Sequence, residues 1–144
     1  MDAAQRSIRT FYEAVNFAGM KAIDGLLPVI TVMHRLYPLV IISSGGQKAI
    51  RGQLAHFGFN GIFETILGSD FRLSKIDKIN HAVSAFGVDK DRTYYIGDTT
   101  GDIREAKVAG VRTVAVTWGW HSGERLAKAR PDYLTYNPSE LPSI

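Results

Sequence analysis

Hydrophobic and polar positions repeat along this chain with two spacings, one typical of amphipathic helices and one typical of short strands. The helical spacing predicts helices at 2–18, 26–36, 75–86, 102–109 and about 124–129, with a further helix that follows Gly46 and is closed by Gly58. Continuous apolar runs predict strands at 39–42, 65–67, 93–96, 112–117 and 132–134, and those at 39–42 and 93–96 are expected to be buried. This alternation predicts an α/β fold with a parallel sheet and helices on both faces.

Composition places the chain among ordinary globular proteins. Its 144 residues, 45% hydrophobic and 22% charged, are enough for one domain over 1–144 with a real core. No apolar run approaches the ~20 residues that cross a bilayer and no secretory signal pattern opens the chain, so we expect no membrane contact and a cytoplasmic location. The absence of cysteine excludes thiolate metal sites, and a net charge of +3 with scattered Lys and Arg favours a small anionic ligand over nucleic acid.

The segment 94–103 carries two acids at the end of a predicted strand. The apolar run stops at Gly97 and is followed by Asp98, two threonines, a glycine and Asp102. Parallel sheets bind ligands at the carboxyl ends of their strands, and two carboxylates on one short loop predict a Mg²⁺ site. The alternative is structural, because Thr99 and Asp102 have the spacing of a helix capping box. The local pattern leaves both interpretations open.

A second polar loop follows the strand at 39–42. Ser43 and Ser44 supply hydroxyl groups, while Gly45 and Gly46 would let backbone N–H groups at the next helix approach an anion. The alternative is that Ser44 only caps that helix.

Lys75 is the candidate cation. Ser74 and Asp77 predict a helix start that places Lys75 in the first turn, where a positive charge opposes the helix dipole. That cost suggests a role other than helix stability, and a solvated lysine is the alternative. Lys78, one turn later, is the second candidate and is expected at the surface. The loop 118–123, with His121 and two tryptophans, is predicted to pack over the rim of the sheet, with a substrate-facing role as its alternative.

Together these segments resemble a known family. Residues 37–43, Lys75, and 95–103 with 106–111 behind them look like the later signature motifs of the haloacid dehalogenase-like hydrolases, nearest the phosphoglycolate phosphatase type, and 116–120 and 130–134 are similar to that branch's tail. The resemblance covers roughly 25–144. It implies a Rossmann-like fold in which Ser43, Ser44, Gly45 and Lys75 bind the phosphoryl group. Ser43 and Lys75 would be the catalytic residues, and Asp98, with Asp102 behind it, would hold Mg²⁺.

One part of the family pattern is missing. The family's nucleophile is the first acid of an Asp-x-Asp-x-Thr/Val motif on the first strand, and we expect this motif to be absent from the chain. Asp24 precedes Gly25 as it would in that motif, but Ala22 stands where the first acid should be. We therefore expect residues 1–20 to be a remnant of a helical cap and 25–144 to be the core, with the first strand and most of the cap missing.

Two functions follow from this comparison. The first is the C-terminal part of a Mg²⁺-dependent phosphatase of a small phosphorylated metabolite, truncated or split, with its nucleophile absent and no activity alone. The second is a non-catalytic module that binds phosphate, weakly held Mg²⁺ or a protein partner. The missing central strand also predicts a pairing. Either a second chain, including another copy of this one, supplies a strand, or the strands at 39–43 and 93–97 pair directly.

Overall fold

A computed structural model describes residues 23–144, so the predicted helix at 2–18 and the predicted cap remnant at 1–20 lie outside the described residues. The chain divides after Arg72 into two compact units. The single domain over 1–144 stays a prediction. No helix among the described residues is long and apolar enough to span a bilayer.

The first unit contains two parallel strands, β1 and β2. Val40 pairs with Thr65 and Ile42 with Leu67, so the two strands run in register. The turn at Asp24 and Gly25 opens the first helix, and Gly25 takes a left-handed φ of +78° that favours glycine. In order, the elements are α1 (Leu26–Leu36), β1 (Val40–Ile42), α2 (Gln47–His56), β2 (Thr65–Leu67) and a 3₁₀ turn (Ser69–Phe71).

The second unit is built on a three-stranded parallel sheet in the order β3-β4-β5. The middle strand is buried from Thr113 to Val116 because it has a neighbour on each side. The elements are α3 (Lys75–Phe86), a 3₁₀ turn (Lys90–Arg92), β3 (Tyr94–Gly97), α4 (Thr100–Ala109), β4 (Arg112–Val116), α5 (Gly123–Ala127), β5 (Tyr133–Thr135) and a 3₁₀ helix (Pro138–Ser143). The core joins Ile103 of α4, Ala115 of β4, Leu126 of α5 and Ala129, with Leu134 packed against them.

The predicted α/β fold with parallel strands and intervening helices is confirmed. The expected burial of the strands at 39–42 and 93–96 is wrong. No residue of β1 is fully buried, and Tyr94 and Ile96 of β3 are 41% and 40% exposed. The reason is that each of these strands has a hydrogen-bonded neighbour on one side only among residues 23–144.

β1 and β3 each pair with the strand that follows them in the chain. Val40–Ile42 pair with β2, and Tyr94–Gly97 pair with β4. These pairings lie within each unit, so both alternatives for the missing strand, supply by a second chain and direct pairing of the strands at 39–43 and 93–97, stay predictions.

Candidate functional site

The loop after β3 is held by a capping box. Thr99 is the N-cap of α4, and its Oγ1 accepts a hydrogen bond from the Asp102 N–H at 3.1 Å. In return, Asp102 Oδ2 accepts the N–H groups of Thr99 at 3.2 Å and Asp98 at 3.3 Å. A Cβ on Gly97 would lie 2.6 Å from Asp102 Cβ, so only glycine fits where the strand ends. The structural interpretation of the Asp98–Asp102 pattern is therefore confirmed.

Lys75 joins this loop from a different helix. The Ser74 hydroxyl accepts the Asp77 N–H at 3.1 Å and so begins α3 as predicted. Lys75, in the first turn, makes an ion pair with Asp102 through its Nζ and the carboxylate Oδ1. Lys75 is therefore not a solvated surface lysine. The expectation for Lys78 is wrong as well, since that residue is only 5% exposed.

Burial and charge act in opposite directions on the acid of this pair. Burial raises the pKa of Asp102, but the hydrogen bond and charge of Lys75 and the two hydrogen bonds with Thr99 outweigh it. The net result is a pKa below the ordinary value of 3.8, so the carboxylate is ionised at neutral pH. The pKa of the Tyr95 hydroxyl, on β3, is raised. The main cause is burial, and the negative charges of Asp102, Glu105 and Asp98 add to it.

The loop after β4 contacts Asp98 through its backbone. The Trp120 N–H donates to Asp98 Oδ2 at 2.9 Å, and the His121 N–H donates to the Asp98 carbonyl at 3.1 Å. The His121 ring takes part too, because its Nδ1 accepts the Thr100 N–H at 3.0 Å. A Cβ on Gly119 would lie 2.6 Å from Asp98 Cγ, so this approach requires glycine. Packing of this loop over the carboxyl end of β3 agrees with the prediction, although the Trp120 side chain itself is 84% exposed.

Asp98 and Asp102 differ in whether a carboxylate oxygen is available to a metal ion. Asp98 is half-buried, and its Oδ1 accepts no hydrogen bond from any described residue, so one oxygen is available to a cation. Both oxygens of Asp102 are engaged by Lys75 and by backbone N–H groups. No group of three or more His, Cys, Asp or Glu side chains suited to a metal ion occurs within 23–144. Since Mg²⁺ often keeps several waters and takes one or two protein carboxylates, Asp98 fits a weak site with Asp102 behind it.

The Ser43 loop lies in the first unit and forms its own small site. Ser43 Oγ accepts the Gly45 N–H at 3.0 Å. The N-cap of α2 is Gly46, which provides no side chain for a hydrogen bond, so the interpretation of Ser44 as the helix cap is wrong. The loop borders a cavity of about 130 Å³ lined by Ser43, Ser44, Gly45, Gly46, Ala49, Ile50 and Gln53.

Asp70 is a residue at this loop that sequence reasoning missed. Its Oδ2 accepts the Gln47 N–H, the first of helix α2, at 2.8 Å. Gly68 allows the two loops to approach, because a Cβ there would lie 2.6 Å from the Gly45 carbonyl oxygen. The sequence feature that pointed to Asp70 is its position as an acid three residues after the strand at 65–67. One of the N–H groups expected to face an anion therefore already has a carboxylate partner.

The expectation that the chain contains no Asp-x-Asp-x-Thr/Val stretch is wrong. Asp89, Lys90, Asp91, Arg92 and Thr93 read as Asp-x-Asp-x-Thr. Here Asp89 is the residue before the 3₁₀ turn Lys90–Arg92, and its backbone carbonyl accepts a hydrogen bond from the Thr93 hydroxyl at 2.8 Å. This turn precedes β3, whereas Asp98 follows it. Asp89 and Asp91 thus lie at the opposite end of β3 from the candidate site, so neither can serve as its nucleophile.

The second unit has a carboxylate and a lysine–carboxylate pair at the carboxyl end of a parallel strand. Such an arrangement is suited to binding a phosphate ester and its metal ion. The family model of the haloacid dehalogenase-like hydrolases matches residues 2–116. The chain therefore belongs to this family, as its sequence predicted.

Curated relatives support the phosphoglycolate-phosphatase-like branch. A phosphoglycolate phosphatase of Synechococcus elongatus is 33% identical over 103 residues, which are 72% of this chain and 49% of the relative. The tyrosine-protein kinase PtkA of Mycobacterium tuberculosis is 28% identical over 132 residues, 89% of this chain and 45% of the relative. The chain thus spans about half the length of the curated relatives it matches.

Solved structures show the same fold. A haloacid dehalogenase-like hydrolase from Streptococcus pneumoniae superposes with a TM-score of 0.80 at 23% identity, covering 99% of this chain and 71% of that one. A protein from Haemophilus somnus, described as a predicted phosphoglycolate phosphatase, superposes with a TM-score of 0.83 at 20% identity, covering 93% of this chain and 62% of that one.

Proposed function

We propose that this chain is the C-terminal part of a Mg²⁺-dependent phosphatase that acts on a small phosphorylated metabolite, and that it is inactive alone. The observation that carries the proposal is the cluster of Lys75, Asp98 and Asp102 at the carboxyl end of β3. Membership of the haloacid dehalogenase-like hydrolases and similarity to phosphoglycolate phosphatases support it. A cytoplasmic location belongs to the same proposal.

Each of these residues has a defined task in the proposed site. Lys75 would neutralise a phosphoryl oxygen, and its ion pair with Asp102 holds the ammonium at the loop. On the loop of the first unit, the hydroxyls of Ser43 and Ser44 would donate hydrogen bonds to a phosphoryl group, and the Gly45 N–H, which donates to Ser43 Oγ, would orient the Ser43 hydroxyl. Asp98 would bind Mg²⁺, which supplies charge stabilisation for phosphoryl transfer when it is bound.

The proposed inactivity rests on the position of the acids. Among residues 23–144, no strand ends in an Asp-x-Asp motif, and the Asp89–Asp91 pair lies at the wrong end of β3. A covalent route through an aspartyl phosphate needs a carboxylate at the reacting phosphorus and an acid for the leaving group. Groups from outside residues 23–144 would have to supply them, and a second chain is the proposed source. If none does, the chain is a binding module for phosphate, Mg²⁺ or a protein partner.

The test combines turnover with metal binding. We expect the purified chain to hydrolyse a generic aryl phosphate with Mg²⁺ no faster than background. Calorimetric titration should show weak Mg²⁺ binding, in the millimolar range, that Asp98→Ala removes. Asp91→Ala is the matched control because Asp91 lies beyond the other end of β3, and it should leave Mg²⁺ binding unchanged. Robust turnover that Asp98→Asn abolishes would contradict the proposed inactivity. Tight Mg²⁺ binding that survives Asp98→Ala would place the metal elsewhere.

A further inference from the structure

A larger cavity of the second unit has no part in the proposed function. It has a volume of about 480 Å³ and is open to solvent. Cationic side chains outnumber acids three to one in its lining, which consists of Thr100, Arg104, Ser122, Glu124, Arg125 and Lys128. Two different segments contribute the cations. Arg104 lies one turn after Thr100 on α4, and Arg125 and Lys128 lie three residues apart on α5 and its C-cap.

The three cations have no partner within the described part of the chain. The side chains of Arg104, Arg125 and Lys128 make no hydrogen bond or ion pair there, even though Glu124 borders the same cavity. Lys75 behaves differently, since Asp102 neutralises it. Three positive charges share the cavity with one acid, Glu124, and none of them forms an ion pair with it. The cations therefore repel one another, and an anion from solution would relieve that repulsion.

Hydroxyl groups add donors to the cavity. Ser122 Oγ accepts the Arg125 N–H at 3.2 Å, which leaves its own hydroxyl proton to donate. Thr100, 8% exposed, contributes a second hydroxyl to the lining. Two guanidinium groups, an ammonium and two hydroxyls are the donor set that a tetrahedral oxyanion takes, because arginine matches phosphate oxygens in pairs.

We propose that this cavity binds a multivalent oxyanion of the phosphate class, either free phosphate or a phosphomonoester. It is made of other residues than the phosphate-binding candidates, which are Ser43, Ser44 and Gly45 in the first unit and Lys75 in the second. The proposal does not depend on whether the chain hydrolyses anything.

The experiment is an NMR titration of the full chain with inorganic phosphate at pH 7, with NaCl adjusted to hold ionic strength constant. The backbone signals of Thr100, Ser122 and Arg125 should shift and saturate. Replacing both arginines, Arg104→Gln with Arg125→Gln, should lower the affinity at least about tenfold. Lys107→Gln is the matched control, since Lys107 lies on the same helix as Arg104 but outside the cavity, and it should change the affinity less than about twofold.

Further measurements distinguish phosphate binding in this cavity from phosphate binding at Lys75. If Lys75→Gln abolishes the phosphate response and the double arginine variant does not, the cavity proposal is overturned while the proposed function stands. A parallel titration with glycerol 2-phosphate distinguishes the ligands, and saturation by either compound at these signals supports the site. Saturation by neither overturns it. Should the double variant fail to fold by circular dichroism, Arg125→Gln alone carries the test with the same expected direction.

Discussion

The carboxylate of Asp102 ties together three segments of the second unit. Its Oδ1 pairs with the Lys75 ammonium from α3, while its Oδ2 accepts backbone N–H groups at the end of β3 and caps α4. The residue is only 9% exposed, so these contacts replace the water that the carboxylate has lost. The capping and the metal interpretations of this loop are therefore compatible. Asp102 organises the backbone, and Asp98 retains an available oxygen.

Replacing Lys75 should show how strongly this carboxylate depends on its cation. At pH 7 we expect Lys75→Met to lower the free energy of unfolding by about 1–3 kcal/mol, because a largely buried carboxylate loses its ion pair. In the wild type the pKa of Asp102 lies below 3.8, so its stabilisation is present above that value and is lost as the pH falls through the folded pKa. Without Lys75, burial raises the pKa of the Asp102 carboxyl group. Protonation of Asp102 then removes the cost of a buried unpaired charge in the variant, and it does so at a higher pH than in the wild type.

The difference in unfolding free energy between wild type and Lys75→Met should therefore shrink as the pH falls from 7 into the acid range. Urea titrations at several pH values measure it. Lys107→Met, at an exposed lysine, is the control and should stay within about 0.5 kcal/mol of the wild type. If the unfolding free energy of Lys75→Met is lower than that of the wild type by the same amount at all pH values, Lys75 acts by packing and not by charge.

At the scale of elements, two loops meet where β3 and β4 end. The segment 119–121 donates two backbone N–H groups to Asp98, and His121 accepts one from Thr100 at the start of α4. Asp98 therefore takes its orientation from the neighbouring strand's loop as well as from its own. Such an arrangement needs the two backbones to lie close together, and Gly119 permits it.

Gly119→Ala should disrupt this contact. Because a Cβ at residue 119 would lie 2.6 Å from Asp98 Cγ, one of the loops must move, and we expect a loss of about 1–3 kcal/mol in unfolding free energy. The fluorescence of Trp118 and Trp120 and a urea titration report the change. Gly101→Ala is the matched control, since its Cβ would meet nothing closer than 3.8 Å on helix α4 and should be neutral or slightly stabilising. Equal effects of the two substitutions would contradict a specific contact at Gly119.

Local signals predicted the elements well and their burial less well. The helices at 26–36 and 75–86 and the strand at 65–67 have the bounds that apolar spacing, Ser74 and Gly87 indicated. Burial of β1 and β3 was overestimated, because burial depends on neighbours that lie far away in the sequence. An apolar run indicates a strand, but it does not say whether the strand has partners on both sides.

The candidate site shows the same limit. The cap at Thr99 follows from a three-residue spacing and was predictable, whereas the Lys75–Asp102 pair joins residues 27 positions apart. Only the family resemblance brought those two residues together. The contact of Asp70 with Gln47 and that of Trp120 with Asp98 join different loops, so no local pattern contains them.

The two units of the whole molecule differ in how much they bury. Of the fifteen buried hydrophobic side chains among the described residues, four lie in the first unit: Phe59, Ile62, Ile66 and Leu67. Neither α1 nor α2 contributes a fully buried residue. The second unit has a central strand buried over four consecutive residues and a helix, α4, with five buried residues. We therefore expect stability to be unevenly distributed among the described residues, because opening free energy follows buried contacts.

Amide hydrogen exchange measures that distribution directly. We expect amides of Val114 and Ala115 in β4 to exchange at least about 100-fold more slowly than those of α1 and α2, after correction for intrinsic rates. Burial of β4 on both faces, against exposed faces on both helices, is the physical reason. The internal control is β2, whose Ile66 and Leu67 are buried within the first unit and should exchange more slowly than the helices of that unit. If the helices of the first unit are as protected as β4, something covers them, and a partner chain on that unit becomes the first candidate to examine by sedimentation.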